Sequence, residues 1–260
     1  MGILNVTPDS FSDGGRYLDP GAAVARGRQL LDEGADLIDL GGESTRPGSA
    51  PVPPETQWRR IGPVLAELAR DPRAAISVDT SSAAVAERAL AAGAVVVNDI
   101  TALGEPRMAS VASSAGAGVV LMHMRGTPAD MQREPRYQDA PTEVAGWLAA
   151  RVEIARAAGI AAESIALDPG IGFGKAIEHN LQLLARLDRI AGLGHPILIG
   201  VSRKSFIGKL LDDAPVDRRL EGGVAAAAVA VFQGASIVRT HDVAATRQAA
   251  RVAAAIRASR

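Results

Sequence analysis

The chain has 260 residues, a formal net charge of −1 and 47% hydrophobic residues, enough length and apolar content for one full-sized core. That balance speaks against nucleic acid or an anionic membrane as partner, and 3% aromatic content leaves few platforms for stacking bases. Zero cysteines exclude a disulfide framework and a thiolate metal site, and the longest apolar run, VAAAAVAVF at 224–232, falls far short of the ~20 residues of a membrane span.

In chain order, the start MGILNVTPDS lacks the basic region and cleavage site of a signal peptide, so a cytoplasmic location is expected. Short Val/Ile/Leu runs bounded by Gly, Pro, Asp or Ser mark strands buried on both faces, as in parallel sheets. The first such run is 3–6. AAVARGRQLLDEG then sets Val24, Leu30 and Leu31 on one helical side and stops at Gly34, ahead of a strand at 36–41. A helix at 54–70 leads to a strand at 75–79. SSAAVAERALAAG begins at a serine cap, stops at Gly93 and precedes a strand at 94–98. Helices at 103–116, 142–158, 178–191, 218–234 and 243–257 alternate with strands at 118–122, 164–168, 196–201 and 236–240. Eight strand–helix units in one chain predict a single-domain α/β protein, a (β/α)8 TIM barrel spanning 1–260. An open doubly wound sheet uses the same units. It is disfavoured because no phosphate fingerprint follows the first strand and the polar strand endings are spread over all eight strands.

Those endings are the functional signal. VVVNDI (95–100) runs from three valines into an amide and a carboxylate, and ISVDT, LIDLGG, SIALDPG, ILIGVSRK and SIVRTHD repeat the pattern. In a (β/α)8 barrel the carboxyl ends of the strands face the active site. The expected ring is Asn5, Asp39 with Gly41 and Gly42, Asp79, Asn98, His123, Asp168, Ser202 with Lys204, and Arg239 with His241. An Asp or Asn after a strand often only caps the next helix or closes an Asx turn. Asp39 and Asp99 fit that plain role best. Asp79 is set apart because Thr80, Ser81 and Ser82 can do the capping, and Asp168 because Pro169 and Gly170 make a turn that leaves its carboxylate free. His123 reads equally as packed rim or ligand, and His195 lies at the wrong end of its strand.

DPGIGFGK (168–175) matches neither a P-loop nor a dinucleotide fingerprint, and neither HExxH spacing nor a serine nucleophile elbow occurs. What remains is divided: acceptors Asp79, Asn98 and Asp168 against the cationic or anion-binding Arg46, Lys204, Arg239 and His241. Acceptors suit a flat heterocycle with an amidine-like edge, and cations after the last two strands suit a phosphate or diphosphate.

LNVTPDSFSDGG (4–15), GGESTRPG (41–48), VDT (78–80), NDI (98–100), LMHMRGTP (121–128), DPGIGFGK (168–175), SRKSFIG (202–208) and RTHD (239–242) together resemble the dihydropteroate synthase family of pterin-binding TIM barrels along the whole chain. The resemblance implies condensation of 7,8-dihydropterin-6-ylmethyl diphosphate with 4-aminobenzoate, giving 7,8-dihydropteroate and diphosphate in folate biosynthesis. It implies a catalytic set of Asp79, Asp168, Lys204 and Arg239. Asp79, Asn98 and Asp168 would bind the pterin, Lys204 would lie over its ring, and Arg239 and His241 would hold diphosphate, with Mg2+ on Asn5 as cofactor. Thr45, Arg46, Pro47, Met122, Phe173, Gly200 and Ser202 would complete the substrate-binding walls. A sulfonamide-sensitive pocket, a homodimer through the Ala/Val-rich last two helices, and small-molecule substrates with neither nucleic acid nor membrane as partner follow as expectations. Members of the family carry a further amino-terminal segment below the barrel, whereas this chain starts almost inside its first strand, which bears on stability more than on chemistry. A methyltetrahydrofolate-binding methyltransferase domain would share barrel and acceptors but would not need the SRK and RTHD cations or the STRPG loop. A non-catalytic pterin-binding paralogue would have lost a diphosphate or loop residue. The loops at 6–21 and 42–54, rich in Gly, Pro and Ser, are expected to close over the site.

Overall fold

Eight short parallel strands alternate with helices in the computed structural model, which describes residues 1–7, 19–46 and 48–260. β1 (Gly2–Asn5), β2 (Ile38–Gly41), β3 (Ile76–Asp79), β4 (Val96–Asp99), β5 (Gly118–Met122) and β6 (Ile165–Asp168) pair in chain order, and β7 (Leu198–Gly200) pairs with β8 (Ile237–Arg239). Single parallel bridges, Leu167 to Ile197 and Gly2 to Thr240, join the two sets and close the barrel. Around it run α1 (Pro20–Asp32), α2 (Pro54–Leu68), α3 (Ala83–Ala91), α4 (Met108–Ser114), α5 (Ala140–Ala157), α6 (Ile177–Ala185), α7 (Asp188–Ala191), α8 (Ser205–Leu210), α9 (Leu220–Gln233) and α10 (Val243–Ala258). The (β/α)8 prediction holds.

The strands alternate as a closed barrel requires. Val97, Val119, Leu121, Leu167 and Ile199 pack outward into the large core beneath the helices. Val120, Ala166 and Leu198 form a separate inner cluster with Met1, Val96 and Ile237 against it. The inner cluster fills the lower part of the barrel, so the next inward residue on each strand sits above it, towards the carboxyl rim.

Three helices differ from the sequence reading, each for a local reason. The stretch 103–116 turns helical only at Met108, because Ala102 and Leu103 adopt left-handed φ of 50° and 65° and Asp99 Oδ2 accepts the Leu103 amide at 2.8 Å. The stretch 178–191 breaks into α6 and α7 at Arg186, whose φ and ψ of −125° and 44° turn the buried Leu187 into the core. α8, six residues long, is extra, since SFIGKL is too short to show helical periodicity.

Candidate active site

Two residues above the inner apolar layer, the strands present Asn98, Met122, Asp168, Gly200 and Arg239 to one pocket. That spacing explains why apolar runs end in charges: the polar groups are the next inward layer. Asp79, Thr45, Ser202, Lys204 and His241 complete the polar lining, and Phe173, with Ile3, Ile100 and Ile171, which sequence reasoning missed, supplies apolar wall.

The β2–β3–β4–β8 side is built on ion pairs. Arg239 Nη2 donates to Asp79 Oδ2 and Arg239 Nε to Asp39 Oδ2, each at 2.6 Å, while Asn98 Nδ2 donates to the same Asp39 oxygen at 3.0 Å. Asp39 therefore does not cap α2, as its position had suggested. It is 0% exposed and lies one inward step below Asp79, because Ile38 to Gly41 run in register with Ile76 to Asp79. Asp99 keeps the plain role, closing the turn after β4 by accepting from Thr101 and Leu103. The serine cap expected for α3 is replaced by Glu105, whose Oε2 accepts the Ala83 amide at 2.6 Å. Burial pushes Asp79 up to about 7 against the opposing pull of Arg239. Burial also penalises the Arg239 charge, but Asp39 and Asp79 more than compensate and hold it above its ordinary value.

The β5–β6–β7 side is built on backbone bonds. Asp168 Oδ1 accepts the Gly170 amide at 2.7 Å, an Asx turn that occupies one oxygen of the carboxylate expected to be free. Burial raises Asp168. Lys204 Nζ donates to the Ile171 carbonyl at 2.8 Å and stands 4.1 Å from the Phe173 ring centre. Burial lowers Lys204 to about 8, with Asp168 opposing the shift. Beneath the loop, Lys175 Nζ donates to the Phe173 carbonyl and to His123 Nδ1, both at 2.9 Å. His123, lowered to about 3 by burial and by Lys175, is thus a packed acceptor and not a ligand. Gly170 and Gly174 have φ of 67° and 61°, and a Cβ there would collide with the His123 and Arg125 carbonyls, so only glycine lets the loop lie this close.

At the rim, the His241 amide donates to Ser202 Oγ at 3.2 Å, and that hydroxyl lies 3.0 Å from His241 Nδ1. Burial, reinforced by Arg203 and Arg239, lowers His241 well below the usual range. It is a neutral hydrogen-bonding group, which corrects its placement among the cations. Arg203 grips Asp242 through Nε and Nη2, tying the loop after β7 to the loop after β8. Arg46 is half-buried and close enough for its charge to bear on His241. Glu43 ties β2 to the start of α2, accepting from the Val52 amide and the Gln57 side chain. Glu43 escaped sequence reasoning because its partners lie 9 and 14 residues away. Asn5 stands beside Gly41 at the end of β1, and the missing Gly41 side chain leaves room for the Asn5 oxygen and for Asp79. Neither Asn5 nor Arg46 lines the pocket itself. Pro47 and most of TPDSFSDGG lie outside the described residues.

The pocket therefore brings acceptors and cations together, as a donor-edged heterocycle bearing an anionic leaving group requires. A family model described as "Pterin binding enzyme" matches residues 1–241. The dihydropteroate synthase of Neisseria meningitidis serogroup C is 50% identical over 253 residues, 96% of this chain and 89% of that one. The Escherichia coli K12 dihydropteroate synthase is 46% identical over 252 residues, 97% of this chain and 89% of that one. Among solved structures, the Yersinia pestis dihydropteroate synthase with a sulfonamide drug complex superposes with TM-score 0.96 at 46% identity, covering 99% of this chain and 94% of that one. The Xanthomonas albilineans enzyme in complex with 7,8-dihydropteroate gives TM-score 0.89 at 44% identity, covering 99% of this chain and 93% of that one.

Proposed function

The chain belongs to the pterin-binding enzymes and, among them, to the dihydropteroate synthases, and we propose that its two polar half-pockets divide the work of that reaction. The enzyme condenses 7,8-dihydropterin-6-ylmethyl diphosphate with 4-aminobenzoate, releasing diphosphate and forming 7,8-dihydropteroate in folate biosynthesis. The observation that carries the assignment of roles is the convergence of Asp79, Asn98, Asp168, Lys204 and Arg239 on one pocket at the strand ends.

Asp79, Asn98 and Asp168 accept the N–H donors of the pterin edge. Lys204, fixed over Phe173, stands beside the ring. As the bond between the pterin methylene carbon and the diphosphate oxygen breaks, its electron pair leaves with the diphosphate, and Arg239 with the neutral His241 meets the growing negative charge. The arylamine nitrogen then bonds to the electron-poor methylene and sheds its proton to solvent, since an arylammonium is acidic enough to need no strong base. Thr45, Arg46, Phe173 and Ser202 frame the 4-aminobenzoate, and Met122 and Gly200 shape the wall behind the pterin.

Asn5 would hold Mg2+ through its side-chain oxygen, a hard neutral donor at the half-buried rim. Bound there it would neutralise charge on the leaving group. Val229, Val252 and Ile256 are 51%, 60% and 54% exposed on α9 and α10, which supports a homodimer through these helices. No helix among the described residues is long and apolar enough to cross a membrane. The zero cysteines, which suit a reducing compartment, support a cytoplasmic location. The unobstructed Phe173, Ser202 and Lys204 wall supports sulfonamide sensitivity.

An assay of diphosphate release tests the reading. Release should require both substrates and match dihydropteroate formed. Release at the same rate without 4-aminobenzoate, from folded enzyme, overturns it.

A further inference from the structure

We propose that Asp39 is a positioning residue that fixes which end of the Asn98 amide faces the pterin, and so makes a hydrogen-bond donor obligatory at that point of the substrate. The proposal rests on the pterin-site reading and deepens it. Asp39 does not line the pocket; it lies beneath it, 0% exposed, one inward step down β2 from Gly41. A single oxygen, Oδ2, accepts both from Asn98 Nδ2 at 3.0 Å and from Arg239 Nε at 2.6 Å. Its other oxygen has no hydrogen-bond partner among the described residues.

A carboxylate can only accept, and an amide has one donating and one accepting end. With Asp39 below, the Asn98 NH2 must point down, because the reversed amide would set its carbonyl oxygen against the carboxylate in a dry interior. The Asn98 oxygen therefore faces the pocket. Together with Asp79 and Asp168 it makes a floor that offers nothing but acceptors. Asn98 alone could present either face; the group that decides is a carboxylate 59 residues earlier, on a different strand. The same Asp39 oxygen steadies Arg239, whose Nη2 reaches Asp79. One buried acid thus sets the polarity of two pocket groups without touching the ligand.

The test is a ratio of affinities, measured by calorimetry on the whole chain. Pterin carries an exocyclic amine where lumazine, its 2,4-dioxo counterpart, carries a carbonyl. The unsubstituted enzyme should prefer pterin. In Asp39→Asn the new amide can donate as well as accept, Asn98 is free to turn, and the preference should fall by about tenfold, the value of one hydrogen bond reversed. A merely structural role would weaken both ligands alike and leave the ratio unchanged, which would overturn the proposal. The exchange Asp39→Asn with Asn98→Asp moves the donor to residue 39 and leaves residue 98 only oxygens to show the pocket, and should recover the preference. Where the single variant does not fold, a folded exchange variant without preference for pterin overturns the proposal instead. If the unsubstituted enzyme itself fails to prefer pterin, the pterin-site reading falls with it, a result distinct from a preference that Asp39→Asn retains.

Discussion

On the β2–β3–β4–β8 side of the pocket the buried carboxylates are answered by a guanidinium; on the β5–β6–β7 side the buried cations are answered by main-chain carbonyls. Arg239 spans Asp39 and Asp79 at 2.6 Å each. Lys204 and Lys175 instead donate to the carbonyls of Ile171 and Phe173. An incoming pterin must compete with Arg239 for Asp79 on the first side. On the second, the loop over Asp168 is already folded against β5 by Gly170, Gly174 and Lys175, and the ligand meets a finished wall. The lesson is that a rim can be held by ion pairs where the ligand has to displace something, and by hydrogen bonds to the main chain where it only has to fit.

The comparison is most exposed at Arg239. Removing a partner from a buried ion pair leaves a charge with no counter-ion, which costs about 3–5 kcal/mol. Arg239→Met should therefore unfold at a markedly lower denaturant concentration and lose turnover, and Asp79→Asn in that background should recover part of the stability. Lys204→Met should lose clearly less stability, because the atom Lys204 bonds is a neutral carbonyl and Asp168 keeps the Gly170 amide and the Lys175 charge. Equal losses in the two variants would show that the sides do not differ in kind.

Pterin binding comes next in size. Asp79→Asn and Asp168→Asn each remove one charge-assisted acceptor while the fold survives, and each should cost ~1.5–3 kcal/mol of pterin affinity by calorimetry. The two should part company in salt response. Arg239 loses one of its two carboxylate partners in Asp79→Asn and keeps both in Asp168→Asn, so only the former should change how ionic strength affects affinity.

Most of this was legible in the chain. Apolar runs that end in polar residues marked Asn98, Asp168 and Arg239, and Lys204 shortly after its strand. Asp39 was misjudged although it shares inward parity with Gly41, because an acid beside two glycines resembles a turn and its partners are 59 and 200 residues away. His241 looked cationic because sequence does not show burial or neighbouring guanidinium groups. Glu43 and Lys175 do their work through single bonds across loops, and neither periodicity nor motif spacing reports such bonds. The break at Arg186 is decided by where Leu187 can be buried, a tertiary matter.

The two sides should also titrate differently. Asp79 is raised from 3.8 to about 7, so the folded chain holds that proton where the unfolded chain has lost it. This site accordingly makes stability fall as pH rises through that window. Pterin affinity runs the other way, since the ionised carboxylate is the better acceptor, and should gain up to about tenfold per pH unit below 7. Lys204, lowered to about 8, begins to lose its charge above that pH. kcat/KM should therefore fall on both sides of a narrow maximum between the two values. Lys204→Arg should push the alkaline limb outward and leave the acid limb in place. An alkaline limb that does not move would assign it to another group.

The smallest expected effect probes how finished the second wall is. Tyr137, half-buried between β5 and α5, donates its hydroxyl to the Gly174 carbonyl at 2.9 Å and carries Arg125 4.5 Å above its ring. Burial raises the phenol to about 12, so it stays a neutral donor throughout the working range. Tyr137→Phe removes one neutral hydrogen bond and keeps the ring packing, which should cost about 1 kcal/mol of stability. The 168–175 loop keeps its other anchors, the Asp168–Gly170 turn and the Lys175 bonds to His123 and Phe173. Phe173 should accordingly stay in place, and KM for 4-aminobenzoate should remain within about twofold, since no single neutral bond dominates such a network. A large rise in KM with unchanged pterin affinity would show that the loop is held by Tyr137 alone and that this wall, too, is assembled on binding.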